Sequence, residues 1–252
     1  MDDLARLICG DYAQHKSIES LYDVLFNNIK NMETRIDILL TNDSDDLTLL
    51  GPFYARNILE SSCSALIGRF DPFRLIYVHK IQSLDNYSIG KKSNGGINWN
   101  GDVFEKKSSG AIWNPDKEFQ KVGRGLFGDA YGDTFWNPAY QMLIDDETIQ
   151  SNESLDYYKS SVDPDKFTEF LRTRSSKIYS SLSKGVHSEF LIKPEIIYDK
   201  STVVELLLDA VKFCSIIGLV SHYIDSCICR LPYDNAFVIY QKLYDWVENH
   251  YE

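Results

Sequence analysis

The stretch from Val203 to Val220 limits this chain more than any other feature, because wound as a helix it is apolar around most of its circumference. A helix with no polar face leaves nothing for water to solvate and must be covered on every side. Glu205, Asp209 and Lys212 interrupt the stretch. Uncompensated charges are costly in lipid, so the reading is a buried central helix and not a membrane span. The rest of the chain then has to supply the cover, and 252 residues at 44% hydrophobic content are enough for a sizeable core.

The covering helices read out of the spacing of apolar residues. Leu21, Leu25, Ile29, Met32, Ile36 and Leu39 recur at helical intervals and give an amphipathic first helix over 17–40. The polar run Thr41–Asp46 supplies the next N-cap, and Gly51-Pro52 opens a second helix from Phe53 to Arg69. Asp71-Pro72 and Asp163-Pro164 are helix starts, with Asp as cap and Pro in the first turn; the second leads a helix to about Phe190. Pro194 separates that helix from the central one, which begins at Thr202 with a Thr202/Glu205 capping box, runs to Leu231 and is ended by Pro232. A last amphipathic helix spans Asn235–Asn249. The expectation is an all-α bundle, a single domain over 1–252.

Residues 85–140 break the pattern. They hold nine of the 14 glycines, the pairs Asn94-Gly95 and Asn100-Gly101, and Trp99, Trp113 and Trp136. Such pairs permit positive φ, so this is a turn-rich insertion in which Ile97–Trp99 and Val103–Glu105 can form a small hairpin. A connection this long is uncommon without a role. The three tryptophans make it a candidate interaction loop or, alternatively, the lining of a small-ligand pocket.

Charge and cysteine usage narrow the classes. A net charge of −11 repels phosphate, so RNA can be met only through a local basic stripe. The first residues show no basic segment followed by an apolar run. Cys9, Cys63, Cys214, Cys227 and Cys229 are odd in number and scattered through apolar context, which suits reduced core thiols and a cytoplasmic protein.

The most pointed chemistry lies on the helix from Pro164. At ~100° per residue, Phe167, Leu171, Ile178, Leu182 and Val186 share an apolar face, while Arg174, Lys177, Lys184 and His187 share another side. Histidine can give or take a proton near neutral pH, and neighbouring cations can hold a phosphate. The plainer alternative is a solvated charged face ending in a structural histidine.

The segment Tyr179-Ser180-Ser181-Leu182-Ser183-Lys184-Gly185-Val186-His187-Ser188 resembles the Tyr…Leu-Ser…Val-His signature near the end of a core helix in HEPN-type helical domains. Arg56-Asn57-Ile58-Leu59-Glu60, followed by Ala65-Leu66, resembles the Arg/Glu-bearing helix of their first half. The resemblance implies a helical bundle, often dimeric, of prokaryotic toxin and phage-defence systems. It also implies, for active members, metal-independent endoribonuclease chemistry using an Arg a few residues before the His. Ser180, Ser181 and Leu182 stand where that Arg belongs, and only His187 carries over.

Other constellations point to less. Gly123-Arg124-Gly125-Leu126-Phe127-Gly128 spells a dinucleotide fingerprint, but no apolar strand precedes it, so it reads as a glycine-rich loop. His222, Cys227 and Cys229 lack a fourth ligand for zinc and read as buried thiols beside a polar histidine. No metal or cofactor is implied. The expectation is therefore a helical subunit of a defence or toxin assembly, working through contacts with other subunits or a second copy and not with a membrane. The alternative is an endoribonuclease with His187 as general acid/base and Arg174, Lys177 and Lys184 on phosphate.

Overall fold

The computed structural model describes residues 2–42, 46–88, 95–105, 124–149, 153–186 and 198–251. Among these, all regular structure is helical. The helices are α1 (Asp3–Cys9), α2 (Glu19–Thr41), α3 (Leu47–Phe70), α4 (Pro72–Gln82), α5 (Asn137–Asp145), α6 (Glu153–Ser161), α7 (Phe167–Val186), α8 (Lys200–Ser221) and α9 (Tyr233–Glu248). No helix among the described residues is long and apolar enough to cross a membrane.

The apolar stretch does lie at the centre. α8 packs against α1, α3, α5, α7 and α9, and every one of its residues from Phe213 to Ser221 is buried. Two glycines set how closely the neighbours approach. A Cβ on Gly51 would come within 2.7 Å of Val203, and one on Gly218 within 3.0 Å of Leu7, so α3 and α1 both lie directly on α8.

Several helix limits differ from the sequence reading, each for a tertiary reason. α3 begins at Leu47, so Pro52 sits in its second turn. The donor lost at Pro52 is offset by the burial of Leu47, Gly51 and Pro52. α8 is capped by Asp199, whose Oδ1 accepts from the Thr202 N–H at 2.8 Å, and not by a Thr202/Glu205 box. It also ends at Ser221, ten residues before Leu231, because residues 222–231 turn their backbone toward α1 and α3. Pro232 accordingly stands at the N-cap of α9.

In the insertion, Ile97–Trp99 and Val103–Glu105 do not form a hairpin. Trp99–Val103 is a closed loop in which Phe104 N–H donates to Trp99 O and Asn98 N–H to Asp102 Oδ2, with Gly101 at φ 125°. Leu126 and Phe127 N–H donate to the carbonyls of Asp102 and Val103. Glycines 125 and 128 of the supposed fingerprint therefore serve packing, since a Cβ on either would strike Glu105. Helical structure also reaches back into this region. A turn at Asp129–Tyr131 and a widened turn at Gly132–Trp136 lead into α5, where Pro138 occupies the first turn.

A buried polar node joins the ends of three helices. Arg69, fully buried near the end of α3, donates from Nε to Ile228 O, from Nη1 to Ile8 O and Ser221 Oγ, and from Nη2 to His222 Nδ1. His222 Nδ1 also accepts from Leu231 N–H, so its Nε2–H donates to Leu7 O at 2.8 Å. The imidazole is neutral: burial, then the Arg69 charge, hold its pKa well below the ordinary value. Its contribution to stability is present above the unfolded histidine pKa and is lost as pH falls.

Glu33 of α2 caps α1 by accepting from Leu4 N–H at 3.2 Å, but its second oxygen has no partner among the described residues. Burial raises its pKa from 4.5 to about 7, against the lowering effect of the Leu4 bond. The folded state therefore takes up a proton that the unfolded chain does not hold. The stabilising effect is complete below pH 4.5 and disappears as pH rises through 7. Glu33→Gln keeps an oxygen for Leu4 and removes the charge. It should raise stability at pH 8 by about 2 kcal/mol and flatten the dependence between pH 5 and 7.5, read by urea unfolding across that range.

Candidate functional site

α3 and α7 lie against each other, and their contact brings together the two segments that carry the family resemblance. Arg56 of α3 forms an ion pair with Glu60 one turn along, at 3.0 Å. The same guanidinium donates to the Tyr179 hydroxyl at 2.7 Å and to Ser183 Oγ at 3.4 Å, both on α7. It also lies over the Tyr179 ring, 4.7 Å from its centre, and that ring stacks on Trp99 at 4.2 Å and 10°. Cation and indole thus both pack on the phenol ring, a stack that fixes the insertion loop onto the bundle.

Beside the stack is a cleft of 430 Å³ between α2, α3, α4 and the 97–103 loop, lined by Asn57, Glu60, Ser61, Gln82, Trp99 and Tyr179 among others. Its polar groups are mostly turned to the protein. Asn57 Nδ2 donates to Phe53 O, and Gln82 Nε2 to Gly95 O. Trp99 is half-buried here, whereas Trp136 is wholly buried, with its Nε1–H donating to Leu126 O and its ring against Phe70 and Phe127. Trp136 is therefore a core residue and cannot belong to an interaction loop or line a surface pocket. Trp113 lies outside the described residues.

The basic stripe divides. Lys177 and Lys184 are exposed on α7. Arg174 is turned instead to Asp209 of α8 in an ion pair, and the two border a cavity between α6, α7, α8 and α9. Burial raises the Asp209 pKa and Arg174 opposes it. His187 lies outside the described residues.

The sequence reading did not anticipate Asp209 as a partner of Arg174, nor the tyrosines around their cavity. The signal was present: a carboxylate inside an otherwise apolar helix needs a cation or a route to water. His222, Cys227 and Cys229 are buried beside the Arg69 node, and no group of His, Cys, Asp or Glu among the described residues is arranged for a metal. Comparison of the chain with protein-family models, with curated proteins and with solved structures finds no match.

Arg56 and Tyr179 should be energetically coupled. Arg56→Ala, Tyr179→Phe and the double variant, compared by urea unfolding, should give a coupling of about 1 kcal/mol. Strict additivity would mean the stack contributes only its separate contacts.

Proposed function

We propose that the chain is a HEPN-like helical subunit of a bacterial antiviral defence or toxin-type assembly, acting through protein contacts. What supports this reading is the Arg56–Tyr179–Ser183 junction, because the segments chosen for their resemblance, 123 residues apart in the chain at Arg56 and Tyr179, meet side by side.

The disposition of the cations favours a structural member over a nuclease. An RNA-cleaving site needs cations aimed at a phosphate. Arg56 is engaged by Glu60, Tyr179 and Ser183, and Arg174 by Asp209. The surface also offers apolar contact area: Phe73 and Tyr77 of α4, stacked on each other, are 73% and 54% exposed. Leu84, just past the end of α4, is exposed as well. Exposed apolar side chains of this kind are the contact area that interaction sites use, here for other subunits or a second copy.

The test is metal-free incubation of mixed cellular RNA with the purified chain and with His187→Ala. The expected result is no His187-dependent cleavage. Cleavage by the wild type that disappears in the variant would replace this reading with the endoribonuclease one, with His187 as general acid/base and Lys177 and Lys184 binding phosphate.

A further inference from the structure

The cavity bordered by Arg174 and Asp209 measures 380 Å³, within the range of about 300–1,000 Å³ typical of small-molecule sites. Its walls are aromatic: Tyr157 and Tyr158 from α6, Phe170 from α7, Tyr240 and Tyr244 from α9. Tyr158 meets both Tyr157 and Phe170 edge to face, at 5.4 and 5.9 Å. Tyr240 is bonded through its hydroxyl to Ser154. Tyr158 and Tyr240 are thus held by the fold, and aromatic faces stack on planar rings.

Polar groups are concentrated on one side. Arg174 and Asp209 share a single hydrogen bond, through Nη2 and Oδ1. The remaining guanidinium N–H groups and the second carboxylate oxygen have no other hydrogen-bond partner among the described residues. A fork of donors therefore stands beside an acceptor at the edge of an aromatic cavity. This pairing matches a ring edge that carries an acceptor next to a donor, as nucleobases do: arginine reads base oxygens and ring nitrogens, and carboxylates accept from amino or imino N–H.

The charge balance selects against phosphate. Glu153, Asp209 and Glu248 face the cavity against Arg174 and Lys212, and Lys212 is already paired with Glu248 at 2.6 Å. The Lys212 ammonium also lies 4.5 Å from the centre of the Tyr251 ring. An incoming phosphate would find the charge of both cations already balanced, Arg174 by Asp209 and Lys212 by Glu248, with Glu153 as a further carboxylate nearby.

We propose that this cavity binds an unphosphorylated nucleobase or nucleoside, with its ring stacked on the tyrosines and its edge read by Arg174 and Asp209. The site is separate from the Arg56–Tyr179 junction, so it stands or falls independently of the subunit reading. The test is isothermal titration of the whole chain with adenosine, cytidine, guanosine and uridine, with L-tyrosine as a ring that lacks the edge. The 5′-monophosphate of any nucleoside that binds is titrated alongside.

The expected result is saturable binding of at least one nucleoside at one per chain, weaker for its monophosphate. Asp209→Asn should weaken it roughly tenfold. Tyr157→Ala, at an exposed position on the cavity rim that the core does not need, should weaken it several-fold, and it decides the matter if Asp209→Asn fails to fold. Absence of binding by all four nucleosides would overturn the proposal. Tighter binding of L-tyrosine than of any nucleoside, or unchanged affinity in the folded variants, would do the same.

Discussion

The structure depends on a buried guanidinium. Arg69 is fully buried, and its hydrogen-bond partners are neutral: two main-chain carbonyls, a serine hydroxyl and an imidazole nitrogen. Removing a charge from water is costly, and an arginine cannot escape by deprotonating. What compensates it here is position. Arg69 is in the last turn of α3, Ile8 in the last turn of α1, and Ser221 closes α8. A carbonyl at the end of α1 and a hydroxyl at the end of α8 thus meet a cation that projects from the last turn of α3, so the ends of three helices converge on one side chain. The fork geometry matters as much as the charge, because it reaches acceptors on three separate segments, which an ammonium on a flexible stem would not do.

This node governs the rest. It fixes α1 against α8, where Gly218 admits Leu7, and it stops α8 at Ser221 by drawing residues 228–231 back over its end. It also anchors the C-terminal end of α3. From Arg69 back to Arg56 is roughly 20 Å along a helix axis, so the orientation set at the node determines which residues of α7 Arg56 meets. The junction with Tyr179 and Ser183 follows from that, and so does the attachment of the insertion loop through Trp99. α7 in turn presents Arg174 toward α8 and the tyrosine-lined cavity rather than to solvent alone.

What could be read in the sequence were the features encoded within a turn or two. The central helix announced itself by its apolar circumference. Asp71 does cap α4, accepting from Arg74 N–H at 3.3 Å, and Asp163 does cap the start that leads into α7. Limits set by distant partners were not legible. Leu47 extends α3 past Pro52 because of what it buries against, and α8 stops short because of Arg69. The same holds for the candidate site. A helical wheel groups Arg174 with Lys177 and Lys184, but it cannot show Asp209 35 residues away or the tyrosines of α6 and α9. Trp136 likewise looked like a loop residue among glycines and is a core residue, because Leu126 O supplies an acceptor inside the protein for its ring N–H.

The central claim is that one cation holds three helix ends, and equilibrium urea unfolding of Arg69→Met against the wild type tests it most directly. Methionine fills similar space but leaves Ile8 and Ile228 carbonyls buried without donors. The account predicts a loss of about 3 kcal/mol or more. A change smaller than about 0.5 kcal/mol, the scale of an ordinary surface substitution, or a gain in stability, would contradict it.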